Sequence, residues 1–107
     1  MNANAESNMK IGDILIWNTG YSMVLPHFGK VIGFTPSGKS VRVAELGTTL
    51  IDDDGYGQQG HKIPTDSIIS GTKAYRLKKY MDREYAMINK HLASKWDGKP
   101  AWYDMMD

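Results

Sequence analysis

A mainly β chain folded as one small barrel or sandwich is predicted from three features of the 107-residue sequence. Short runs of β-branched and aromatic residues recur, such as Ile14-Leu15-Ile16-Trp17. Turn-forming clusters such as Asn18-Thr19-Gly20 and Thr35-Pro36-Ser37-Gly38-Lys39 separate them. Between these, Ser40-Val41-Arg42-Val43-Ala44 alternates apolar and polar residues with period two, the pattern of a half-buried strand. Several short strands with glycine-rich turns suit a barrel or a sandwich. The length fits one domain, read as residues 10–107 with a C-terminal tail, preceded by a flexible arm over residues 1–9.

The elements follow in order. Ile14-Leu15-Ile16-Trp17 is a buried strand. Residues 21–27 carry Pro26 and suit a long loop. Strand character resumes over residues 28–34, and residues 40–44 return on it as a hairpin. Residues 52–61, with three consecutive aspartates and glycines at 55, 57 and 60, read as a surface loop. Ser67-Ile68-Ile69-Ser70 is a further short apolar piece closed by Gly71.

The last third admits two readings. Leu77, Met81, Tyr85, Ile88 and Leu92 recur at spacings of four, four, three and four, an amphipathic stripe for a helix over about 76–92. Tyr75 to Leu77 and Tyr85 to Met87 also alternate as two strands around a polar turn. Periodicity alone slightly favours the helix. Asp97-Gly98-Lys99-Pro100 stops whichever element precedes it.

Composition excludes several classes. A hydrophobic fraction of 41% with 23% charged residues belongs to a folded domain, and a net charge of +1 to neither an acidic nucleic-acid mimic nor a basic coat. With no cysteine, disulfides, iron–sulfur clusters and thiolate zinc sites are ruled out. No apolar stretch approaches the roughly 20 residues of a membrane span, and no basic-then-apolar leader opens the chain. The expected location is the cytoplasm.

The motifs that carry chemistry fit poorly. Gly55-Tyr56-Gly57-Gln58-Gln59-Gly60 matches G-x-G-x-x-G, but Pro64 follows and no helix starts to meet a pyrophosphate. Asp52 and Asp54 could open a calcium loop, yet its fifth and twelfth positions are Tyr56 and Ile63. His27, His61 and His91 have no metal-ligand spacing. His61 and Asp54 could pair as acid and base only if the fold brings them together. No metal, no cofactor and no catalytic residue is therefore expected.

Charge is segregated. Lys73, Arg76, Lys78, Lys79, Arg83, Lys90, Lys95 and Lys99 meet only Asp82, Glu84 and Asp97 within residues 73–99. Tyr75, Tyr80, Tyr85 and Trp96 interleave with them, a combination that can stack on and neutralise nucleic acid or a nucleotide. The same pattern arises when the aromatics are core and the lysines simply solvated. Near the C-terminus, Trp96 suits a plug at one end of the barrel. Trp102, Tyr103, Met105 and Met106 carry more apolar surface than a free tail keeps, so they dock on the barrel or on a second copy of the chain.

Ile11-Gly12-Asp13-Ile14-Leu15, Gly20-Tyr21-Ser22-Met23, Asp54-Gly55-Tyr56 with Gln59-Gly60, Ile63-Pro64-Thr65-Asp66 and Ala93-Ser94-Lys95-Trp96-Asp97-Gly98-Lys99-Pro100 together resemble a family of small, largely uncharacterised bacteriophage proteins. The chain departs from the family at Asn18-Thr19, where Ser-Trp is usual, and at His27-Phe28-Gly29, where Asp-Phe-Tyr is usual. The resemblance implies an SH3-like small barrel with residues 74–96 as further strands and a phage or mobile-element origin, and it carries no enzymatic activity over to this chain. Such a protein is expected to inhibit a host defence or metabolic protein by direct contact in the infected bacterial cell, using Tyr21, Met23, Tyr56, Trp102 and Tyr103. The alternative is a nucleic-acid or nucleotide-binding module using Lys78, Lys79, Arg83, Lys90 and Lys95.

Overall fold

The computed structural model describes residues 9–20, 23–53, 59–80 and 83–104. The β-branched and aromatic runs form eight strands: β1 (Ile14–Asn18), β2 (Pro26–Phe34), β3 (Ser40–Asp53), β4 (Gln59–Ile68), β5 (Lys73–Tyr80), β6 (Arg83–Ile88), β7 (His91–Lys95) and β8 (Ala101–Asp104). Every pairing is antiparallel. The β2–β3 hairpin forms as expected. Thr35 N–H donates to the Ser40 carbonyl at 3.0 Å and Gly38 N–H to that of Thr35 at 2.9 Å. Gly38 adopts a φ of 75°, which a residue without a Cβ reaches at no steric cost.

Six strands close a ring in the order β2-β1-β7-β6-β5-β3, with β3 returning to β2. Closure removes free edges and gives the barrel-like fold. β3 has 14 residues, more than the ring uses. Its first part pairs with β2 and β5, while residues from Leu46 to Asp53 run on and pair with β4. β4 in turn pairs with β8, so β3, β4 and β8 form a sheet extension outside the ring.

Period-two burial fixes the interior. Leu15, Trp17, Val31, Val41, Val43, Ala86, Ile88 and Ala93 fill the ring, and Met9 joins them at 2% exposure with its N–H 3.3 Å from Glu84 Oε1. Gly29 also faces inward, because a Cβ there would meet Val43 and the Trp17 ring. Phe28, one residue earlier, therefore points to the outer wall. It is covered there: Phe28 lies opposite Leu46, and Trp96 meets it edge-on with ring centroids 5.5 Å apart. Trp96 thus clasps the outer wall and does not plug the interior, where the sequence had placed it.

The strand reading of the last third holds, and the helix over 76–92 does not form. Its stripe is divided by the sheet: Ile88 is buried in the ring, whereas Leu92 is exposed and Tyr85 half-buried. Alternating Ala86, Ile88 and Ala93 decide the matter, since only period two puts all three inside. Two loop assignments also shrink. β2 already starts at Pro26, a first-strand position where the missing N–H is harmless. Asp52 and Asp53 pair with His61 and Gly60 as strand residues, so only residues 54–58 of the expected loop fall outside the described residues. Among the described residues no helix is long and apolar enough to cross a membrane.

Candidate functional site

The overhang of β3 and β4 leaves a cleft of about 690 Å³ between the sheet extension and the outer wall of the ring. Ile51, Ile63 and Ile68 line it from the extension, Ile14 and Leu46 from the ring, and the loop from Trp96 to Pro100 forms its third side. Lys30 and Asp66 add one charge of each sign. The size and apolar lining are those of a ligand or side-chain pocket. The third side is held by its own hydrogen bonds. Trp96 Nε1–H donates to the Lys99 carbonyl at 2.7 Å, and Lys99 N–H to Asp97 Oδ1 at 2.9 Å. Gly98 supplies the turn with a φ of 84°. Ile51 and Ile68 remain 49% and 58% exposed, an apolar surface that folding leaves wet.

A second group sits near the start of β2. His27 stacks on Trp17 with centroids 5.7 Å apart, and its Nε2 is 2.8 Å from Thr19 Oγ1. Its Nδ1 is 3.2 Å from Glu45 Oε2. Tyr75 lines the same depression, and burial, reinforced by the Glu45 carboxylate, raises its pKa above the usual 10.0. A third group joins β4 to β8. His61 Nδ1 is 3.1 Å from Asp52 Oδ1, its backbone N–H donates to the same oxygen at 2.8 Å, and its ring meets Trp102 edge-on at 5.5 Å. The acid beside His61 is thus Asp52; Asp54 lies outside the described residues.

Of the expected partner contacts, Tyr21 and Tyr56 lie outside the described residues. Met23 is half-buried beside the Val24–Asp104 bridge. Trp102 is 45% exposed, but Tyr103 is buried, with Lys62 Nζ 4.0 Å from its ring centre. Tyr103 is therefore packed on the chain itself, whereas Trp102 is exposed with its ring edge against His61. The basic set also divides. Lys78 pairs with Tyr85 and Arg83 with Tyr80 across the β5–β6 ladder, whereas Lys79 lies opposite Glu84. Lys90 occupies the turn at the other end of β6, and Lys95 Nζ is 3.6 Å from Asp13.

None of the cleft isoleucines is among the contact residues expected from the sequence. One signal was available, since adjacent Ile68 and Ile69 cannot both enter one core from a strand. His27 and Glu45 are 18 residues apart and meet only through the β2–β3 register, which period alone does not fix. No family model, no curated protein and no solved structure matches the chain.

Proposed function

We propose that the chain is a phage-type binding protein without chemistry of its own, acting on a host protein of defence or metabolism inside the infected bacterial cell. The partner's apolar side chains would seat in the cleft between ring and sheet extension. The observation that carries this reading is the apolar cleft itself, whose Ile51 and Ile68 stay half exposed beside a hydrogen-bonded tryptophan loop. A pre-formed pocket loses little freedom when a partner enters it, which favours tight association. Trp102, exposed at the end of the same extension, adds an aromatic anchor of the type that dominates interface energetics.

The test is capture of the full chain from bacterial lysate, read by native mass spectrometry, in parallel with an Ile51→Ser, Ile68→Ser double variant. Both residues are half exposed, so the variant keeps the fold. A host protein held in fixed stoichiometry by the original chain and lost from the variant is expected. Equal retention by both would remove the cleft from the reading, and capture of no protein in infected or uninfected lysate would overturn it.

A further inference from the structure

We propose that the outer face of the β5–β6 hairpin is a separate binding surface for single-stranded nucleic acid. The hairpin register runs Leu77 opposite Ala86, Lys78 opposite Tyr85, Lys79 opposite Glu84 and Tyr80 opposite Arg83. Ala86 is fully buried and Leu77 packs against the interior cluster. Alternation then turns Arg76, Lys78 and Tyr80 outward on β5, with Arg83 and Tyr85 outward on β6. Arg42, exposed between buried Val41 and Val43 and paired with Ala74, extends this face onto β3.

Four cations therefore share one sheet face with two tyrosines. The tyrosine rings lie with centroids 6.1 Å apart and tilted by 53°, and Tyr80 is 48% exposed. Among the described residues none of the four cations has an ion-pair partner. The one carboxylate in the described ladder, Glu84, belongs to the opposite face and reaches the Met9 N–H. Folding has thus gathered positive charge around one exposed and one half-buried tyrosine, with no ion pair to it among the described residues.

Charge complementarity selects a polyanion, and the tyrosines narrow it further. Bases of a single strand can leave their stack and lie on an aromatic ring, whereas a duplex keeps its base faces inside. An outer sheet face carrying two tyrosines between cations offers stacking for one or two bases, with phosphates on Lys78, Arg83, Arg76 and Arg42. An acidic peptide would use the charges and leave the rings unexplained.

The experiment is fluorescence anisotropy of labelled oligothymidine and oligouridine of about ten nucleotides, titrated with the full chain. Binding of either or both is expected, with a log–log salt slope of about −2 to −3 for three or four phosphates at ~0.7 each. Tyr80→Ala should weaken it at least about fivefold, the lower bound of a lost base stack. Arg83→Gln should flatten the slope, while Lys79→Gln, on the opposite face, should leave both affinity and slope unchanged. The DNA and RNA arms report which sugar is preferred. The inference is overturned if neither oligonucleotide binds at low salt, if Tyr80→Ala has no effect, or if a duplex or polyglutamate competes as well as the unlabelled single strand.

Discussion

His27 Nδ1 lies 3.2 Å from the Glu45 carboxylate while the other ring nitrogen faces the Thr19 hydroxyl at 2.8 Å. Hydroxyl, imidazole and carboxylate in this order can activate a nucleophile. The same contacts also brace three segments, because Thr19 follows β1, His27 opens β2 and Glu45 lies in β3. As a brace, the ring contributes its stack on Trp17 and two hydrogen bonds. His27→Ala should therefore lower stability by about 1–2 kcal/mol, read from the urea midpoint at unchanged m-value. A hydroxyl-directed phosphonate should leave the intact mass of the chain unaltered. A stoichiometric adduct on Thr19 would instead place chemistry at this site and sink the binding-only reading.

Tyr75 supplies a pH dependence of definite sign. Burial first, and the Glu45 carboxylate second, raise its pKa above 10.0. The folded chain thus holds the phenol proton more tightly than the unfolded chain does. The stabilisation is complete below pH 10.0, the unfolded value, and is lost as pH rises through the higher folded value. Absorbance at the phenolate band should show a late-titrating component that Tyr75→Phe removes. Glu45→Gln should bring that titration down only part of the way, because burial is the larger cause. A full return to the ordinary value would reverse the order of the two causes.

How far the fold was legible follows from where period-two burial is local. Val41, Arg42 and Val43 alternate within five residues, and the β2–β3 hairpin could be read from them directly. Residues 76–92 could not, because Leu77, Tyr85 and Leu92 satisfy a helical stripe as well as a sheet. Ring closure decided between them by requiring Ala86, Ile88 and Ala93 inside. The cleft was illegible for a different reason. It exists because β3 outruns the ring, and strand length beyond a barrel wall leaves no periodic mark. The basic aromatic segment was visible, but only the register separates Lys78 and Arg83 from Lys79.

The β6–β7 turn carries local strain that a single change should relieve. Asn89 and Lys90 have φ values of 49° and 72°, and Ile88 pairs directly with His91. Positive φ at both central residues of a two-residue hairpin is the type I′ arrangement, which favours Asn-Gly. Lys90 pays the Cβ penalty of that conformation, about 1 kcal/mol. Lys90→Gly should therefore raise stability by several tenths to about 1 kcal/mol in thermal or urea unfolding. It should also leave oligonucleotide affinity unchanged, since Lys90 is at the far end of β6 from Tyr80 and Arg83.

Trp96 holds both the outer wall and one side of the cleft, and two substitutions separate these roles. Trp96→Phe keeps an aromatic edge against Phe28 but removes the Nε1–H donor to the Lys99 carbonyl. A net loss of about 1 kcal/mol is expected for that hydrogen bond. Trp96→Ala removes the ring as well and uncovers Phe28, which is fully buried in the native chain. The loss should rise to about 2 kcal/mol, below the ~3–5 kcal/mol of a fully buried aromatic because Trp96 is only half-buried. Partner capture should fall with Trp96→Phe although the fold persists, because the loop from Trp96 to Pro100 no longer has a fixed position along the cleft. Equal stability of the two variants would mean that the ring contact contributes nothing and that the loop hydrogen bond alone secures this wall.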